Sequence, residues 1–163
     1  MILKDYKKFI DRLFAQLEEK GIDTSELKID HLGYQASSTE DYNEKKSELK
    51  KFGEVKQDTQ VGEKKVAIFK LFKPLEYKDQ IIEAIEIVSP KLGQKVDSDW
   101  EHIEVIPHIG LENFIQKYPN VEWDTSVIDR EIFPMLILRL DEKTRVKFPR
   151  RAVLKEVERI KKA

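Results

Sequence analysis

The chain has 163 residues, 40% hydrophobic and 37% charged, which is enough apolar material for one core behind a charged surface. Lys and Arg number 30 against 31 Asp and Glu, and a net charge of −1 excludes the concentrated basic excess of a general nucleic-acid binder. Cysteine is absent, so disulfides, thiolate nucleophiles and cysteine zinc sites are excluded, and any histidine chemistry must use His31, His102 or His108.

The first element reads as an amphipathic helix: Tyr6, Phe9, Ile10, Leu13, Phe14 and Leu17 recur at three- and four-residue spacing, and Gly21 suits a left-handed helix stop. Leu27–Ala36 reads as a strand, with Ile29, His31, Gly33 and Gln35 on one face and Leu32, Tyr34 and Ala36 on the other. Ser37 and Ser38 ahead of Glu40 and Asp41 form an N-cap signature. The helix they open carries Tyr42, Leu49 and Phe52 inward and ends at Gly53. Extended segments follow at Val55–Val61, Lys65–Phe72 and Gln80–Val88, with Val61-Gly62-Glu63-Lys64 as a hairpin turn and Ser89–Gly93 as a linker.

The same order then restarts. Trp100–Ile106 alternates as a strand, with Trp100, His102, Glu104 and Ile106 on one face and Glu101, Ile103 and Val105 on the other. Gly110–Tyr118 reads as a short helix, and Asp124–Phe133, Met135–Leu140 and Arg145–Phe148 as three extended segments. Val153, Leu154, Val157 and Ile160 mark a closing helix. The expected fold is α+β: two βαβββ modules forming an open mixed-sheet cup, at 25–92 and 93–163, with a helical extension at 1–24 and a C-terminal helix.

His31 and His102 each lie in the first strand of a module. Glu86 lies between branched apolar residues in the last strand of the first module, where a carboxylate is costly to desolvate unless it is paired or bound to a cation. Two imidazoles and a carboxylate can bind zinc, manganese, iron or nickel with positions left open. An ordinary buried histidine or a lysine-paired glutamate fits the same spacing, which is too long for any local metal motif. Glu104 shares the His102 face as a general base, an alternative ligand or a surface residue. Arg139, with Met135 and Ile137, faces the cup, and Lys147 or Arg145 adds to it according to the strand register. His108 reads as a surface or capping residue, and Trp100 and Trp123 as packing residues.

Ile29-Asp30-His31-Leu32-Gly33-Tyr34 and Ile85-Glu86-Ile87 resemble strands of the vicinal oxygen chelate superfamily, which includes glyoxalase I, extradiol dioxygenases and bleomycin-resistance proteins. Tyr42–Lys46, Val66–Phe69, Ile82–Lys91 and Trp100–Glu104 resemble more closely the YecM-like family of small bacterial proteins with that fold. The resemblance implies a divalent metal (Zn, Mn, Ni or Fe) held by His31, Glu86 and His102. A fourth ligand would fall near Val146–Phe148, where this chain offers no Asp, Glu or His.

Two readings follow. One is a metal-dependent lyase, isomerase or dioxygenase acting on a small anionic metabolite, with Glu104 catalytic and Arg139 and Lys147 binding substrate. The other is a non-catalytic cup that binds or sequesters a small ligand. A structural protein using its charged terminal helices has no specific residue in support. No apolar run approaches the roughly 20 residues that cross a bilayer, and Met1-Ile2-Leu3-Lys4-Asp5 is charged too early for a signal peptide. The expectation is therefore a cytoplasmic monomer or homodimer that contacts neither membrane nor nucleic acid.

Overall fold

A computed structural model describes residues 1–163. Helix α1 spans Tyr6–Glu19 and buries the apolar stripe Phe9, Ile10, Leu13, Phe14 and Leu17. Strand β1 (Leu27–Gln35) leads into α2 (Thr39–Leu49), whose N-cap is Ser38: its hydroxyl accepts a hydrogen bond from the Asp41 amide at 3.0 Å. Strands β2 (Gly53–Val61) and β3 (Lys64–Tyr77) form a hairpin whose turn is Gly62-Glu63, with Gly62 at φ +60°. Strand β3 runs past Phe72 because an irregularity between Lys70 and Leu75 absorbs Pro74 before pairing with β4 (Gln80–Val88) resumes.

The second half contains β5 (Asp99–Pro107), α3 (Leu111–Lys117), β6 (Met135–Arg139), β7 (Arg145–Pro149) and α4 (Val153–Lys162). The mixed sheet has seven strands in the order β2-β3-β4-β1-β5-β7-β6. Pairs β1–β4 and β5–β7 are parallel, and the central pair β1–β5 is antiparallel. The second module thus repeats the first, less one strand. The expected strand at Asp124–Phe133 is a run of turns touching the sheet at one bridge, Asp124 to Ile137. The Asp124 side chain accepts the Ser126 amide at 2.9 Å, a local turn that competes with strand pairing.

One sheet face carries Leu32, Tyr34, Ile85, Ile87, Ile103, Val105, Leu136, Leu138, Val146 and Phe148. They form one buried cluster with Phe9, Leu13 and Leu17 of α1, Tyr42 and Leu49 of α2, and Leu111 and Phe114 of α3. The opposite face is the cup. Over its first-module half lies α4, where Val153 and Val157 pack on Ile68 and Ala84. No helix is long and apolar enough to cross a membrane.

Candidate metal centre

The site is written in two adjacent rungs of cross-strand partners on the cup face. The first rung runs Ile68 (β3), Glu86 (β4), Gly33 (β1), His102 (β5), Arg145 (β7) and Arg139 (β6). The second runs Lys70, Ala84, His31, Glu104, Lys147 and Ile137 through the same strands. Small residues stand beside the donors at two places. Gly33 separates Glu86 from His102, and Ala84 borders His31, so four side chains can lean into one space.

Those four are His31, Glu86, His102 and Glu104, whose ligand atoms all lie within 4.8 Å of one another. His31 Nε2 is 3.0 Å from Glu104 Oε2 and 3.4 Å from Glu86 Oε2. His102 Nε2 is 3.4 Å from Glu104 Oε2 and 3.7 Å from Glu86 Oε1. Both imidazoles are fully buried, and neither His102 nitrogen has a hydrogen-bond partner. A buried, unpartnered imidazole facing two carboxylates is a costly arrangement that a cation relieves. Two nitrogens and two oxygens suit zinc, manganese, iron or nickel, so this set can hold a divalent ion.

Strict alternation fails at two positions, and both failures serve the site. Between the pairs Ile29/Val105 and His31/Glu104, β1 has an extra residue, Asp30. Between Gly33/His102 and Tyr34/Trp100, the extra residue is Glu101 on β5. Each bulge switches the strand's facing by one residue. Ile29 therefore joins Leu32 and Tyr34 in the helix-side core instead of standing with His31. Trp100 likewise leaves the His102 face for the core, stacking on Phe9 at 6.2 Å. The unpaired acids back the histidines. Asp30 Oδ2 accepts from His31 Nδ1 at 2.7 Å, which turns Nε2 toward the centre. Glu101 Oε1 lies 3.8 Å from His102 Nδ1, and Arg145 Nε lies 3.9 Å from the same oxygen.

The ionic balance is tight. Burial would lower the His31 pKa, but Glu104, Asp30 and Glu86 hold it well above its ordinary value. His102 is raised against both burial and the Lys147 charge by Glu86, Glu101 and Glu104. Burial would raise Glu104, yet His31, His102 and Lys147 hold it well below the usual carboxylate range. Glu86 is lowered against burial by His102, His31 and Lys147. A divalent ion can supply the positive charge that these two carboxylates otherwise draw from the imidazoles.

Of the sequence-derived candidates, His31, Glu86, His102 and Glu104 converge. Lys147 flanks Glu104 on the neighbouring strand, and Arg139 stands exposed on the edge strand β6, two strands from His102. His108 is exposed, its amide bonded to the Glu26 carbonyl. Trp123 packs on Phe148 and Phe114. Asp30, Glu101 and Gly33 were not among the sequence-derived site residues, and Arg145, left to the strand register there, pairs with His102. The readable signal was that an acid directly precedes each of the two site histidines.

A family model described as YecM protein matches residues 1–160 of the chain. An uncharacterized protein of Haemophilus influenzae is 32% identical over 89 residues, which are 55% of this chain and 47% of that protein, so the match spans about half of the relative's length. Among solved structures, a structural genomics protein, EC4020, superposes with a TM-score of 0.79 at 20% identity, covering 97% of this chain and 90% of that one. Methylmalonyl-CoA epimerase in complex with methylmalonyl-CoA and NH4+ gives a TM-score of 0.54 at 13% identity, covering 78% and 96%. A Streptomyces coelicolor methylmalonyl-CoA epimerase variant with 2-nitronate-propionyl-CoA gives 0.53 at 12%, covering 75% and 95%. These likenesses are of fold, and the fold is that of the vicinal oxygen chelate superfamily.

Proposed function

This chain belongs to the YecM protein family, and from that premise we propose that it is a divalent-metal-binding protein of the vicinal oxygen chelate type whose cup takes a small anionic ligand. The observation that carries the reading is the buried quartet His31, Glu86, His102 and Glu104, with its ligand atoms within 4.8 Å and an unpartnered His102 ring. Each histidine would give Nε2 and each glutamate one oxygen. Glu104 takes the part of fourth ligand for which the last strand offers no acid. A divalent ion bound there supplies Lewis acidity to oxygens in its open positions.

The remaining steps belong to the protein. Asp30 and Glu101 orient the two imidazoles, the apolar contact of α4 with Ile68 and Ala84 excludes water from one side, and Lys147 and Arg139 receive ligand charge on the other. The methylmalonyl-CoA epimerases of similar fold are complexed with CoA esters, which supports a small-molecule ligand for this chain.

The count of donors also fits a closed centre. Four protein ligands complete a tetrahedral zinc site and leave it closed, as in structural or sequestering proteins. A six-coordinate ion held by the same four keeps two positions open for adjacent oxygens of a ligand. Metal analysis of protein purified without chelator tests both. Stoichiometric manganese, nickel or iron supports the open centre, and stoichiometric zinc the closed one. Absence of bound metal, together with no rise in melting temperature when any of these ions is added to apo protein, would sink the proposal.

A further inference from the structure

The register of the sheet is symmetric about the β1–β5 pair. His31 and Gly33 pair with Ala84 and Glu86 on β4, and His102 and Glu104 pair with Arg145 and Lys147 on β7. Arg145 therefore stands where the first module has Ala84, and Lys147 where it has Glu86. The second module has exchanged a small residue and an acid for two cations.

The first rung continues from Arg145 to Arg139, one strand further out, about 5 Å per strand. From the other lobe Lys64 joins them. It shares the cup face with Val66 and Ile68, and burial together with the Arg145, Lys147 and Lys91 charges lowers its pKa against the pull of Glu101.

These cations make almost no close ion pairs. Arg145 approaches one carboxylate, Glu101, at 3.9 Å, while Lys64, Lys147 and Arg139 have no carboxylate oxygen within ion-pairing distance. None of the four side chains donates a hydrogen bond to the protein. Lys64, Arg145 and Lys147 all face Glu101, while Lys147 also faces Glu86 and Glu104, and Arg145 and Arg139 face Asp124. A divalent ion balanced by Glu86 and Glu104 would leave Lys147 without those two partners. The apolar contact of Val153 and Val157 covers the opposite half of the cup face, and Arg130 adds a further cation facing Glu104 and Glu86.

We propose that Arg145, Lys147 and Lys64, with Arg139 at the outer edge, form a subsite for a phosphoryl dianion, so that the ligand of this cup is a phosphate ester with metal-binding oxygens at its other end. The inference deepens the metal-centre reading and rests on it for the second half of that sentence. A single carboxylate is satisfied by one arginine fork. Two further cations beside the fork fit a group with three oxygens and a double charge. Lys147, adjacent to Glu104, is the link between the subsite and the ion.

The test is titration calorimetry of the full chain with inorganic phosphate and with succinate, on protein loaded stoichiometrically with metal and on chelator-treated protein, in amine buffer at low salt. Phosphate is expected to bind at least about tenfold tighter than succinate. Arg145→Ala and Lys147→Met are each expected to weaken phosphate at least about tenfold while bound metal stays stoichiometric, and Lys95→Ala in the exposed linker to change nothing. Arg145→Lys keeps the charge without the fork and carries the test if Arg145→Ala does not fold; its expected effect is a smaller loss in the same direction.

Equal binding of phosphate and succinate would overturn the proposal. So would unchanged phosphate affinity in folded Arg145 and Lys147 variants, or no phosphate binding by wild-type protein that holds metal. If the protein takes no metal but binds phosphate in an Arg145-dependent way, the subsite stands and the metal centre falls.

Discussion

Gly33 and His102 are register partners across the β1–β5 pair, and a Cβ built on Gly33 would lie 2.0, 2.2 and 2.4 Å from three atoms of the His102 ring. The imidazole occupies the space that a side chain on β1 would fill. Gly33→Ala must therefore push His102 outward while Val146 and Phe148 hold the sheet's other face packed. The expected cost is about 1–3 kcal/mol of stability, with metal affinity lost well beyond that of a neutral surface change. Chemical denaturation and a chelator-competition titration measure the two effects. A variant with wild-type metal affinity would show that His102 is not a ligand.

Asp30 acts through His31. Asp30→Asn keeps an oxygen for the His31 Nδ1–H but removes the charge that makes the imidazole a stronger donor. The expected loss in metal affinity is about 10- to 100-fold, the range seen when a carboxylate behind a ligating histidine is removed. Asp30→Asn should leave the far-ultraviolet circular dichroism unchanged.

Metal loading should raise stability by mass action. At free metal 100 times the dissociation constant, the gain is about 2.7 kcal/mol, readable as a rise in melting temperature. The surrounding carboxylates raise the proton affinity of His31 and His102, and a ligating imidazole is deprotonated, so uptake should also release protons. Calorimetry in buffers of different ionisation enthalpy counts them, and the affinity should rise with pH as those protons become easier to displace.

Glu156 anchors α4 at neutral pH and loses that hold at acidic pH. It is 2% exposed, accepts the Phe133 amide at 3.1 Å, and bonds Arg151 and Arg159. Burial would raise its pKa, but the two arginines hold it below the ordinary 4.5. A depressed carboxylate stabilises the fold fully above its unfolded pKa, and that contribution fades as pH falls through the lower, folded value. Stability should thus decline below about pH 4.5, and Glu156→Gln should flatten that limb while lowering stability at neutral pH. Denaturation midpoints at pH 7, 5 and 3.5 make the comparison.

Helix α1 belongs to the core. Leu13 is fully buried among residues that touch β1, β5 and α2, so Leu13→Ala should cost about 2–5 kcal/mol. Deletion of residues 1–19 should leave a chain that does not fold cooperatively. Thermal melts of both decide the point.

Much of this was readable from the residues. Periodicity located α1 and α4, the Gly62 turn located the β2–β3 hairpin, and the buried acid in Ile85-Glu86-Ile87 pointed to a cation. The face assignments of Ile29 and Trp100 were not, because a bulge adds one residue without changing the apolar pattern on either side of it. The missing strand at Asp124–Phe133 was lost to a local side-chain turn that alternation does not register. Glu104 could be put on the right face, but its convergence with His31 depends on a cross-strand register that no single strand encodes. Arg145 stayed open for the same reason: its pairing with His102 comes from the order of strands in the sheet.

Asp30 Oδ2 has a second guest. Besides the His31 Nδ1–H it accepts the Val153 amide at 2.9 Å, the first N–H of α4. One oxygen thus holds both a ring of the centre and the start of the chain's last helix. Whatever draws His31 toward an ion is felt at the seat of that helix, and by reciprocity any docking or release of the helix returns the same free energy to the ion. On the proposed reading, the helix that starts at Val153 would report whether the centre is filled.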